Sequence, residues 1–275
     1  MARFRDGTTF LGRYVLQGVI GQGGVSVVYQ ALDTVHSRYV AIKMLDPTLA
    51  TDTRAQRRIH REATITARMR HPSVPRVYDH GDAPLGDGTS VAYVVMELLA
   101  GTMLTGYLRS GPLPWRDAVW VGATVADVLA VAHRRGVVHR DVTPGNIMIT
   151  EAGARIIDFG VAVTVPPPER GPFVPRTVLR NEFAGPGAPP DDVHALGVLL
   201  YQMVTGHSPY GTEAPPTATA VRRHPPAAAL AVPGVPRAVC DIWRGCLIQH
   251  PAGRPDAPTV ALDLWALIMP ARRWA

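Results

Sequence analysis

The chain has 275 residues, 47% of them hydrophobic and 18% charged, with 26 Gly, 26 Pro and a net charge of +6. That length holds one large domain or two lobes, and that mixture excludes a disordered chain. The two cysteines, Cys240 and Cys246, are too few for a disulfide framework or a zinc site and read as buried thiols in a reducing cytoplasm.

The isoelectric point of about 9.7 is compatible with an anionic partner, and a solvated basic surface is the simpler explanation. Aromatic residues do not interleave with the arginines as a nucleic-acid platform requires, so no nucleic-acid partner is expected. The N-terminal stretch "MARFRDGTTFLGRYVL" lacks the apolar core of a signal peptide. No stretch reaches 18 uncharged apolar residues, so no membrane span is expected.

Residues 14–45 predict three strands, "RYVLQGVIG", "VSVVYQAL" and "RYVAIKML", rich in Val, Ile and Tyr and parted by Gly or polar turns. The polar segment "TDTRAQRRIHREATITARMRH" predicts a helix closed by His71-Pro72. "RVYDHG" and "VAYVVMELL" predict two more strands around the loop "DAPLGDG". Beyond residue 100 the pattern turns helical. "WRDAVWVGATVADVLAVAHRRG" carries a 3.6-residue apolar period, followed by the short strands "NIMIT" and "ARIIDFG". A Pro- and Arg-rich loop leads to the apolar helix "DDVHALGVLLYQMVTG". An Ala/Pro-rich connector precedes two last helices, "AVCDIWRGCLIQH" and "APTVALDLWALIMP". A sheet region, residues 1–100, followed by a helical region, residues 101–275, is an α+β order.

Four groups of residues carry chemistry. Gly21, Gly23 and Gly24 form a loop between two strands, where backbone N–H groups can approach phosphate oxygens; a plain glycine hairpin is the alternative. Lys43 ends the apolar strand "VAIK", and Glu62 follows 19 residues later in the polar helix. A helix packed on the sheet would bring that carboxylate to the ammonium, whereas a surface charge beside Arg58 and Arg61 is the simpler alternative for Glu62. The stretch "HRDVTPGN" holds Asp141 and Asn146, and "DFG" holds Asp158. Two carboxylates and an amide close in sequence offer hard oxygens of the kind that bind Mg²⁺ together with phosphates.

Taken in order, the glycine loop, "VAIK", Glu62, "HRDVTPGN" and "DFG" resemble the protein-kinase family, and among its members the bacterial serine/threonine kinases of the eukaryotic (Hanks) type. "HPSVPRVYDHG", "VMELLAG", "DVHALG" and "HPAGRP" extend the resemblance over residues 14–266. It implies a two-lobed fold, a small antiparallel sheet lobe with one regulatory helix and a larger, mainly helical lobe. It implies that Ile20, Gly21, Gly23, Gly24, Val28, Ala41, Met96, Glu97, Leu99 and Met148 line an ATP site, with Met96 as gatekeeper and 97–99 as hinge. Lys43, oriented by Glu62, would hold the α- and β-phosphates. Asn146 and Asp158 would hold Mg²⁺, with Mn²⁺ as an alternative ion, and Asp141 would accept the proton of the attacking hydroxyl. Asp192 would anchor the backbone around Asp141. Arg140 would receive a regulatory phosphate, with Thr177 as the expected autophosphorylation site.

Three positions depart from the family's pattern. Thr143 stands where a lysine usually meets the γ-phosphate, a contact worth on the order of 2–4 kcal/mol, or roughly 10²–10³ in rate. The Ala/Ser-Pro-Glu motif is absent, with Gly187 where its glutamate would be. Arg254 therefore needs another partner, Glu182 being one candidate, or exposure to solvent. The leading expectation is an ATP-dependent kinase acting on Ser or Thr of a protein substrate, with Tyr still open. The alternative is a pseudokinase, an ATP-binding scaffold with little transfer. The domain is expected to fill the chain without sensor or membrane tether, and a homodimer through the upper lobe is a further expectation from the resemblance.

Overall fold

The computed structural model describes residues 4–86, 88–160, 162–164, 188–210 and 232–269. The chain falls into two compact units, Met1–Gly101 with Ile157–Val161, and Thr102–Ile156 with Ala162–Ala275. The short segment 157–161, which carries Asp158, thus packs with the first unit although it lies far along the chain.

The first unit is a six-stranded antiparallel sheet of β1 (Thr9–Phe10), β2 (Tyr14–Gln22), β3 (Ser26–Asp33), β4 (Arg38–Leu45), β5 (Val77–Pro84) and β6 (Ser90–Glu97), in the order β1-β2-β3-β4-β6-β5. Val40, Ile42, Met44, Val91 and Val95 are fully buried in its core. β-branched and long apolar residues suit a pleated surface packed on one side. The strand β5 runs to Pro84, further than the sequence predicts, because Ala83 pairs with Val91 and is buried. The loop closes behind it through Leu85 N–H donating to Thr89 O at 2.7 Å.

Helix α1 (Thr53–Arg68) begins at Asp52, whose carboxylate accepts from the amides of Arg54 and Ala55. This cap satisfies two of the four donors that a helix start leaves open. Its buried stripe is Ala55, Ile59, Glu62 and Ala63, the i, i+4, i+7, i+8 spacing of one helix face. A carboxylate therefore sits on a face that is otherwise apolar.

The second unit opens with β7 (Gly101–Met103) and α2 (Leu104–Arg109), two short elements without a sequence signal. Then come α3 (Trp115–Arg134), β8 (Val137–Val138), β9 (Ile147–Thr150), β10 (Gly153–Ile156), β11 (Val163–Thr164), α4 (Pro189–Thr205), α5 (Arg237–Cys246) and α6 (Ala257–Ile268). Strands β9 and β10 form a sheet with β7, and β11 pairs with β8. Helices α3 and α4 touch closely: a Cβ on Gly122 would stand 2.3 Å from Leu200 Cδ2, so any larger residue there would force Leu200 to shift. Asp127, which interrupts the apolar run of α3, accepts from Trp265 Nε1 at 2.7 Å and so ties α6 to α3. No helix among the described residues is long and apolar enough to cross a membrane.

Candidate active site

Each unit carries one cluster of the residues singled out above. In the first, strand pairing sets which side chains share a face. Gly21 is opposite Val28, Val28 opposite Lys43, and Ala41 opposite Met96. Cross-strand partners, and residues two apart on one strand, project from the same side of a sheet. Val28, Ala41, Lys43 and Met96 therefore share one face. Gly23 N–H donates to Ser26 O at 2.8 Å and closes the glycine turn, with Gly23 and Gly24 exposed and Ile20 half exposed beside them. Glu97 N–H donates to Arg76 O, and Arg76 N–H donates to the Glu97 carboxylate, which fixes the end of β6 just before Leu99.

Lys43 Nζ donates to Glu62 Oε1 at 2.5 Å and to Asp158 Oδ1 at 3.3 Å. Glu62 is only 5% exposed, so it is no surface charge. Burial pushes its pKa up to about 7, and the Lys43 ammonium partly opposes that rise. Without that cation the charged form would be costlier still.

The segment 158–160 packs tightly on this pair. Gly160 N–H donates to Asp158 Oδ1 at 2.6 Å. A Cβ on Gly160 would stand 2.8 Å from Asp158 Oδ1 and 3.0 Å from Glu62 Oε2, so a side chain there would push on both carboxylates. Arg58 Nε donates to Gly160 O at 3.0 Å, and Phe159 is buried. Arg58 was not foreseen in this part, although it stands one turn before Glu62 and so shares its helix face.

In the second unit, the segment 139–146 is held by a carboxylate from α4. Asp192, 1% exposed, accepts from His139 N at 2.8 Å and Arg140 N at 2.7 Å. His133 Nε2 lies 2.8 Å from the same carboxylate. Arg140 takes φ +69°, a left-handed conformation that costs a residue other than glycine on the order of 1 kcal/mol or more. The two amide bonds to Asp192 offset that cost. Asn146 Nδ2 donates to Asp141 O at 2.9 Å and Oδ2 at 2.8 Å, which orients both side chains. Arg140 is exposed and Thr143 half-buried, and Met148 pairs with Arg155 across β9 and β10. His133 carries no signal in the sequence, because its partner lies 59 residues away.

Arg254 is buried, with its guanidinium donating to the carbonyls of Ile248, Gln249 and Pro190 and facing Asp191 Oδ1 at 3.5 Å. Thr177, Glu182 and Gly187 lie outside the described residues.

The chain matches the protein kinase domain family over residues 14–266. It is 34% identical to the serine/threonine-protein kinase PknA of Mycobacterium tuberculosis over 277 aligned residues, which cover 98% of this chain and 64% of that protein. It is 33% identical to the serine/threonine-protein kinase PknL of the same organism over 269 residues, 93% of this chain and 65% of that protein. The chain thus spans somewhat less than two thirds of the length of these relatives. Since the match runs through the sheet unit, the helical unit and every segment that carries the two clusters, the chain belongs to the protein kinase family and has its fold.

Proposed function

We propose that the chain transfers the γ-phosphate of Mg-ATP to a serine or threonine hydroxyl of a protein, in the cytoplasm. The observation that carries this reading is the ion pair of Lys43 with Glu62 and Asp158, a cation presented beside a carboxylate suited to a hard metal ion. The oxygens fit Mg²⁺. Asp158 keeps about a third of its side chain exposed, and the Asn146 amide, with its nitrogen turned to Asp141, offers its oxygen. The Asp158 carboxylate and the Asn146 amide oxygen would each offer Mg²⁺ a hard ligand, and the ion would supply charge neutralisation at the phosphate oxygens. Lys43 orients the phosphates, with Glu62 keeping its ammonium in place. Asp141 accepts the proton of the attacking hydroxyl, and Asn146 keeps that carboxylate turned. In this chemistry position and charge supply most of the acceleration. Gly21, Gly23 and Gly24 bring backbone amides to the phosphates, while Val28, Ala41, Met96 and Leu99 contact the adenine.

The second reading is an ATP-binding scaffold with little transfer, and Thr143 favours it because a hydroxyl carries no charge to the γ-phosphate. A radiolabelled ATP assay on purified protein, with Asp141→Asn as control, separates the two. Transfer at least 10²-fold above that control supports the kinase. Transfer equal to the control, with a clear thermal shift by Mg-ATP, supports the scaffold. No nucleotide-dependent shift at all would remove both.

A further inference from the structure

Arg254 is a buried cation at the start of a helix, which is an unfavourable place for one. Its side chain is 3% exposed. Nε donates to Ile248 O at 2.8 Å and Nη2 to Gln249 O at 3.1 Å, both just beyond α5. Nη1 donates to Pro190 O at 2.8 Å, in the first turn of α4. The start of a helix carries partial positive charge, so a guanidinium there is repelled as well as desolvated. Carbonyl dipoles alone do not neutralise it.

Asp191 answers both difficulties. It is the third residue of α4, where a negative charge suits the helix dipole. Its Oδ2 accepts from Ala188 N at 3.2 Å, and its Oδ1 faces Arg254 Nη1 at 3.5 Å. The next residue is Asp192, which accepts from the amides of His139 and Arg140. Arg140 is held at φ +69°, and Asp141 follows it directly. A shift of this first turn by a fraction of an ångström would therefore reach the backbone on which Asp141 is mounted.

We propose that Arg254 and Asp191 form a positioning pair for the segment 139–146: together they lock the first turn of α4, and that turn sets Asp192 against the His139 and Arg140 amides. The kinetic consequence rests on the phosphotransfer reading above; the structural coupling does not. The arginine thereby serves the segment that carries the proton acceptor, through residues 188–192. Asp191 is the residue that makes this connection, since without its carboxylate the buried guanidinium would loosen the turn it now fastens.

The test uses Arg254→Lys, which keeps the charge and loses the planar fork, and Asp191→Asn, which keeps the shape and loses the charge. Amide hydrogen exchange of His139 and Arg140 is followed by NMR, with Val125 and Leu129 in α3 as internal references. Steady-state kcat and KM for ATP are measured in parallel. Both variants are expected to speed exchange at His139 and Arg140 at least tenfold and leave the α3 amides unchanged. They should lower kcat about tenfold with KM for ATP within twofold, and Asp191→Glu should restore most of kcat. Unchanged exchange at His139 and Arg140 overturns the pair, even if the melting temperature falls, because that result describes packing alone. If Arg254→Lys does not fold, Asp191→Asn gives the same readouts. If the parent transfers no phosphate above Asp141→Asn, the phosphotransfer reading fails, and the exchange rates still decide for or against the pair.

Discussion

In the sheet unit Lys43 is held by side-chain carboxylates, Glu62 from α1 and Asp158 from the segment 158–160. In the helical unit the segment 139–146 is held through backbone amides, with Asp192 of α4 accepting from two of them. The first arrangement joins side chains carried by three separate elements, β4, α1 and the segment 158–160. It also includes a buried carboxylate whose charge depends on a neighbour. The second joins main chain to a short, buried side chain, and amides do not titrate in the range where proteins fold.

The largest expected effect breaks the first arrangement outright. Lys43→Met removes the cation, leaves Glu62 to take up a proton at neutral pH, and lowers kcat/KM about 10²–10³-fold, as measured by phosphate transfer to a generic protein substrate. Next, Thr143→Lys adds to the second unit the charge it lacks, and kcat is expected to rise about 10–100-fold over the parent. No change there would mean that the γ-phosphate is handled by another residue.

Gly160→Ala sharpens the comparison on the first unit. A methyl group at that place displaces the Asp158 and Glu62 carboxylates, and kcat should fall about tenfold while overall unfolding shifts little. The smallest effect concerns pH. The Glu62 pKa is raised in the folded protein above its unfolded value, so its contribution to stability is fully present at low pH and is lost as pH rises through about 7. The groups facing it are Lys43, Asp158 and Arg58. Thermal unfolding of the parent between about pH 5 and 8 should therefore decline more with rising pH than that of Glu62→Gln, by on the order of a few degrees. Parallel curves for the two proteins would refute the assignment.

Much of this was legible in the chain itself, and the limits have physical causes. The strands of the first sheet and the helices α1, α3 and α4 follow from apolar period. The motifs around Lys43, Asp141 and Asp158 follow from their order. Glu62 was open between a partner of Lys43 and a surface charge, because sequence spacing does not say which way a helix is turned. Its place on the Ala55, Ile59, Ala63 stripe decides that in the folded chain. β7 and α2 left no trace, since elements of three and six residues are too short to show a period. The contacts of Arg254 were not legible at all. Three of them are backbone carbonyls, which every residue has, and Asp191 lies 63 residues away.

Strand register gives the lysine its meaning. Val28 and Lys43 are aligned across β3 and β4, while their neighbours Val27, Ile42 and Met44 are in the core. A slip of one residue at that pairing would still yield a hydrogen-bonded sheet, but it would turn Lys43 into the apolar interior and Ile42 out to water. The aliphatic residues around the lysine thus guard its register: a sheet that buried Lys43 in place of Ile42 would incur the desolvation of a charge that the observed pairing avoids.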